Sequence, residues 1–293
     1  MLLAAIDIGS NAARLLITDV IEGINHPPVF SKLNLVRVPL RLGFDVFESG
    51  VISHEKTDMV VQTMKAYGHL LRVYNVQHLK ACATSAMRDA KNGAEIIQTV
   101  KASTGIDIEI ISGDLEATII YENHIAETLD TSNAYLYIDV GGGSTELTLF
   151  AEGKLFYKQS FDIGTIRLLK NQVEMSKWEE IKEVIKTRTK GLKKVVAIGT
   201  GGNINKVFTM SKKKEGKPLE LNFLKDFHRE LSSFSLKERI RLYQMREDRA
   251  DVIVPALQIF IHVMRWADAD EIFVPKIGLA DGLIQHLYAE LRT

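Results

Sequence analysis

Apolar residues run without a break from Leu2 to Ile6, stop at Asp7, and resume after a small-residue turn as Leu15, Leu16 and Ile17. Two short apolar runs around a turn predict a pair of strands, and the extended stretch near Val36 to Leu40 predicts a third. The period then lengthens. From Ser53 the apolar positions Val60, Met64, Tyr67, Leu71 and Tyr74 follow helical spacing, with Ser53 as the cap. "HLKACAT" predicts a short buried strand that delivers the loop "TSAMRDAKNG". A helix with Ile96, Ile97 and Val100 on one face ends near Gly105, "DIEIIS" predicts a strand, and a helix follows with Ser112 or Asp114 at its start. This alternation predicts a mixed or parallel sheet covered by helices.

The pattern then restarts. "IDIGSNAARLLI" and "IDVGGGSTELTL" place Asp7 and Asp139 132 residues apart (139 − 7), each between an apolar strand and a glycine turn. One such echo per half predicts a duplicated architecture with a cleft between two similar domains. Beyond it the chain predicts a helix opened by a capping box from Ser176 to Glu179, a strand in "KVVAIGTGGN", and then mostly helices. Ser235 to Glu238 forms a second box, and Pro255 predicts a kink in the long helix near the end.

Composition narrows the function classes. Lys plus Arg and Asp plus Glu are 37 each, so no global field points to nucleic acid or an anionic membrane, and any anion site is local. Cys82 is the only cysteine, which fits a reducing compartment. Asp7 interrupts the first apolar run too early for a signal peptide. The stretch from Val252 to Trp266 is too short and too polar to span a bilayer. A cytoplasmic, soluble protein is expected.

The glycine turns carry the chemistry. Backbone N–H groups in a tight glycine turn converge on a phosphate because no Cβ keeps the anion away. Ser144 and Thr145 are expected to add hydroxyl donors. An Asp just ahead of the turn is repelled by the phosphate, yet it can hold a divalent cation beside it. "AIGTGGN", which contains Gly201, is a third strand-to-glycine turn. The two common nucleotide fingerprints, Gly-x-x-x-x-Gly-Lys-Ser/Thr and Gly-x-Gly-x-x-Gly after a strand, are absent from the sequence.

"AIDIGSNAARLLI", "ATSAMRDAKNG", "IEIISGDLEA", "YIDVGGGSTEL", "FDIGTIRL", "AIGTGGN" and "REDRADVIVPAL" resemble, in this order, the exopolyphosphatase/guanosine pentaphosphate phosphatase family. That family belongs to the actin/hexokinase-like phosphotransferase superfamily. The resemblance runs from Ala5 to about Gly282 and departs at Ala12, where serine is usual, and at Ala280, where arginine is common. It implies two actin-like (ribonuclease H-like) α/β domains, residues 1–123 and 124–293, with the last helix able to pack on the first domain.

The resemblance also implies roles. Glu116 matches a catalytic glutamate, although by position alone it is an ordinary dipole-complementing acid in a first helical turn. Gly9, Ser10, Asn11, Gly141, Gly142, Gly143, Ser144 and Gly201 fall on phosphate-binding turns, and Arg88 matches a phosphate-contacting arginine. Arg14 reads as a second such contact or as a strand-edge charge. Asp139 matches an acid beside a bound Mg²⁺. Asp7 is its counterpart, with a turn-shaping role as the alternative. Glu146 shares the face of Ser144 and either reaches the cation or is a solvated strand glutamate. Lys212, Lys213 and Lys214 read as a solvated loop. The implied activity is release of terminal phosphate from inorganic polyphosphate, with guanosine pentaphosphate as the second substrate and a homodimer as a possible assembly. A small-molecule kinase and a nucleotide-dependent assembly module are the competing classes.

Overall fold

The computed structural model describes residues 1–23, 26–122, 132–152, 154–275 and 278–292. The chain divides into two compact units, one formed by residues 1–123 with 278–293 and the other by residues 124–277.

The first unit opens with strands β1 (Leu2–Ile8), β2 (Ala13–Ile21) and β3 (Val29–Val38), followed by helices α1 (Leu42–Ser49) and α2 (His54–Val73). Strand β4 (His78–Ala83), helices α3 (Ser85–Asp89) and α4 (Gly93–Thr104), strand β5 (Glu109–Ile110) and helix α5 (Gly113–Glu122) complete its N-terminal part. Ser53 caps α2 by accepting the Lys56 N–H, as its position predicts. Ser112, rather than Asp114, caps α5: its Oγ accepts the Leu115 N–H at 3.1 Å.

The second unit begins with β6 (Ala134–Val140), β7 (Thr145–Ala151) and β8 (Lys154–Phe161), then α6 (Thr165–Leu169) and α7 (Met175–Thr189). After β9 (Val195–Thr200) and α8 (Gly202–Ser211) come β10 (Leu219–Glu220), α9 (Leu221–Ser233), α10 (Leu236–Tyr243), α11 (Glu247–Ala250), α12 (Ile253–Trp266) and β11 (Glu271–Phe273). The final helix, α13 (Leu279–Glu290), belongs to the first unit. There Leu283, Ile284 and Leu287 bury themselves with Leu3, Leu16 and Ile119. Each such fully buried side chain contributes about 1.5–3 kcal/mol. Ala280 lies in the same apolar cluster, 4% exposed, where a charged arginine would lose its solvation.

The two sheets share one plan. The first has the order β3-β2-β1-β4-β5 and the second β10-β11-β9-β6-β7-β8. In each, an antiparallel three-strand meander (β1-β2-β3, β6-β7-β8) is followed by two parallel strands on the far side of its first member, β4-β5 and β9-β11, and the second sheet adds β10 antiparallel at its edge. The core of the second unit is built on α12, whose Ile253, Ile259, Val263 and Met264 are fully buried.

Two local expectations are corrected. Pro255 is the third residue of α12, in the first turn where the N–H groups have no intrahelical acceptor, so it starts the helix instead of kinking it. The box from Ser176 to Glu179 does not form. Helix α7 begins two residues earlier than that box requires, with Glu174 as its N-cap, and the Ser176 hydroxyl donates to Glu174 at 3.2 Å. The box from Ser235 to Glu238 does form at the start of α10.

Candidate active site

The sheet register gives the two glycine turns one geometry. Gly9 N–H donates to the Ala12 carbonyl at 3.0 Å, and Gly141 N–H donates to the Ser144 carbonyl at 2.9 Å. This closure uses backbone alone, so alanine in place of serine at position 12 leaves it intact. Asp7 stands opposite Arg14 on β2, and Asp139 stands opposite Glu146 on β7. Glu146 is therefore the counterpart of Arg14, at the same 132-residue offset (146 − 14).

That exchange changes the electrostatics. Arg14 Nη1 lies 2.7 Å from Asp7 Oδ2, so the first turn neutralises its own carboxylate with an ion pair. In the second turn a carboxylate oxygen of Asp139 and one of Glu146 lie within 4.8 Å of each other. Two like charges at that separation repel by about 3 kcal/mol or more at an effective dielectric near 20. Glu146 is 3% exposed, so it is not the solvated strand glutamate that its position also suggested. Hydroxyl groups steady the pair: Ser144 and Ser160 donate to Glu146 Oε1 at 2.6 and 2.9 Å, and Thr200 donates to Asp139 Oδ1 at 2.8 Å. An all-oxygen donor set of paired carboxylates suits a hard divalent cation.

The turn hydroxyls point inward, against expectation. Ser144 donates to Glu146, Thr145 Oγ1 donates to the Ile163 carbonyl at 2.5 Å, and Ser10 Oγ is bonded to Ser85 Oγ at 2.8 Å. The Ser144 and Thr145 hydroxyl protons are therefore engaged within the fold, which leaves backbone N–H groups as the donors the second turn offers an anion.

The second turn is braced from behind by α6. Thr165 N–H donates to the Gly141 carbonyl and Ile166 N–H to the Gly142 carbonyl, while Arg167 Nε donates to the Gly143 carbonyl at 2.7 Å. The approach is so close that a Cβ on Gly164 would stand 2.3 Å from the Gly142 oxygen. Gly201, just after β9, has φ +100°, and a Cβ there would meet Asp139 Oδ1 at 3.0 Å. Gly164, Ser160, Thr200 and Ser85 thus shape the turns without having been singled out by residue type. The signal for Gly164 was its place in "FDIGTIRL"; the hydroxyl partners are set by cross-strand register and carried no signal.

In the first unit, Glu116 sits in the first turn of α5, half-buried. Arg88 lies in α3 and donates to the Ile111 carbonyl at 2.9 Å, two residues before the start of α5. Asn11 lies in the first turn, its carbonyl accepting the Arg41 N–H at 3.0 Å.

A duplicated strand-turn-strand with an acid ahead of each glycine turn, on two sheets of matching order, defines a two-unit α/β protein of the actin-like class. Residues 25–290 match the Ppx/GppA phosphatase family, and the chain belongs to that family. A bifunctional 3-dehydroquinate synthase/phosphatase of Fusobacterium nucleatum is 35% identical over 173 residues, covering 56% of this chain and 25% of that protein. Exopolyphosphatase 2 of Mycobacterium tuberculosis is 31% identical over 172 residues, covering 56% of this chain and 53% of its own. The chain thus spans about half the length of the latter and a quarter of the former. The crystal structure of an exopolyphosphatase from Cytophaga hutchinsonii superposes with a TM-score of 0.82 at 25% identity, covering 100% of this chain and 98% of that one.

Proposed function

We propose that the protein is an exopolyphosphatase that releases terminal orthophosphate from inorganic polyphosphate. The observation that carries this reading is the carboxylate pair Asp139–Glu146 beside a glycine turn, where the other half places Asp7 against Arg14. The exopolyphosphatase names of the Mycobacterium and Cytophaga relatives support the substrate class.

In this reading Gly9, Ser10 and Asn11 hold one phosphoryl group through the first turn, and Gly141, Gly142, Gly143 and Ser144 hold another. Gly201 keeps the space beside Asp139 open, and Arg88 offsets phosphate charge. Asp139 and Glu146 hold the divalent cation, taken here as Mg²⁺; Asp7 instead shapes the first turn through Arg14. When bound, the cation supplies Lewis-acid polarisation of a phosphoryl oxygen. Glu116 takes the proton from a water whose oxygen forms the new bond to the terminal phosphorus. The bridging P–O bond breaks, and its electron pair stays on the shortened chain.

In this reading the ligand-facing groups at these turns address phosphate and its cation. Discriminating a base requires fixed hydrogen-bond partners that go unpaired with the wrong ligand. Inorganic polyphosphate is therefore expected to exceed guanosine pentaphosphate in kcat/KM. The test offers purified protein and Mg²⁺ polyphosphate, guanosine pentaphosphate and ATP in parallel and measures phosphate release. A higher value for guanosine pentaphosphate would transfer the substrate, and phosphate transfer from ATP to a small acceptor would make the protein a kinase. Among the described residues no helix is long and apolar enough to cross a membrane.

A further inference from the structure

The first glycine turn is not isolated. Arg41 N–H donates to the Asn11 carbonyl at 3.0 Å and Gly43 N–H donates to the Ser10 carbonyl at 2.8 Å, so the start of α1 is fastened directly to the turn. Arg41 itself is left-handed, with φ 53° and ψ 37°, a conformation that side chains other than glycine adopt infrequently. Its guanidinium carbon lies 4.1 Å from the centroid of the Phe44 ring. Stacking of this kind fixes the plane of the fork and reduces the rotamer entropy lost when it binds an anion.

A second cation holds this arrangement in place. Lys56 Nζ donates to the Arg41 carbonyl at 2.6 Å and pairs with Asp45 Oδ1 at 2.6 Å. Burial pushes the Asp45 carboxyl up, but hydrogen bonds from Lys56 and Ser53 outweigh it and leave it below the usual range. The Asp45 carboxylate thereby holds the Lys56 side chain against the carbonyl of a left-handed residue.

We propose that Arg41 forms an additional phosphoryl subsite beside the first glycine turn, binding the phosphate next to the one held by Gly9 to Asn11, with Lys56 as its positioning residue. This rests on reading that turn as phosphate-binding. The Arg41 backbone is bonded directly to the turn, and its planar, stacked guanidinium suits bidentate contact to one phosphoryl group of an inorganic chain. The family resemblance gave no hint of it, and neither did residue spacing.

The test separates this subsite from the hydrolase reading. Arg41→Gly removes the fork and relieves the left-handed conformation, so its thermal midpoint should equal or exceed wild type. Arg41→Lys keeps the charge and loses the fork. Calorimetric binding of inorganic tripolyphosphate should weaken by about 10- to 100-fold in Arg41→Gly and by less in Arg41→Lys. In turnover the loss should fall on KM, with kcat within a few-fold. If wild type binds tripolyphosphate without turning it over while Arg41→Gly loses binding, the subsite stands and the hydrolase reading falls. Binding within twofold of wild type in Arg41→Gly, or a loss explained by a lowered midpoint in both variants, overturns the subsite.

Discussion

Gly164→Ala is the sharpest perturbation of the second glycine turn, because its effect follows from distances. The added Cβ would stand 2.3 Å from the Gly142 oxygen and 2.5 Å from the carbonyl carbons of Gly142 and Gly143. Ordinary contact begins near 3.4 Å, so the two backbones must separate by about 1 Å. The obstacle is main chain on both sides, which no rotamer change can move. Separation strains the bonds from Thr165 to Gly141 and from Ile166 to Gly142. Two hydrogen bonds at about 0.5–1.5 kcal/mol each, with overpacking at about 1–3 kcal/mol, give a loss of about 2–6 kcal/mol. For a unit of this size that lowers the thermal midpoint by about 4–24 °C. A shift near 1 Å in phosphate-holding donors also costs about 100-fold in turnover. Differential scanning calorimetry and phosphate release measure the two losses on one preparation. Gly68→Ala is the control: it lies inside α2 with nothing within 4 Å of the new Cβ, and it should stabilise by up to about 1 kcal/mol. A Gly164→Ala protein with an unchanged midpoint and turnover within twofold of wild type would refute the bracing argument.

Three further outcomes are expected. Glu116→Gln should lower kcat by about 10²–10⁴-fold with polyphosphate binding retained; turnover within a few-fold of wild type would remove Glu116 as the base. Mg²⁺ should raise the thermal midpoint of wild type by binding linkage, and Glu146→Gln should abolish that rise, which an undiminished rise in the variant would contradict. Burial, together with the charges of Asp7, Glu116 and Glu109, pushes the Cys82 thiol up. The folded thiol then keeps its proton while the unfolded one ionises above about pH 8.5, so this contribution to stability is full below that pH and declines as pH rises. Cys82 should accordingly resist thiol reagents in the native protein at pH 8 and react once it is unfolded; rapid native labelling would contradict this.

The sequence alone determined the alternating α/β pattern, the two glycine turns with their acids, and the 132-residue echo, because strand and helix periodicities and glycine turns are local properties of the chain. It also carried the family, through motifs spread from one end to the other. What it left open is decided by strand register, which no local pattern encodes. Register sets Glu146 against Asp139 where Arg14 faces Asp7, and so makes one turn an ion pair and the other a carboxylate pair. It brings Ser160 of β8 and Thr200 of β9 onto those carboxylates from 14 and 61 residues away. The inward aim of the Ser10, Ser144 and Thr145 hydroxyls and the stacking of Arg41 on Phe44 are likewise tertiary. A side chain's partner depends on which backbone packs beside it, and that is settled only when the sheets and their covering helices are assembled.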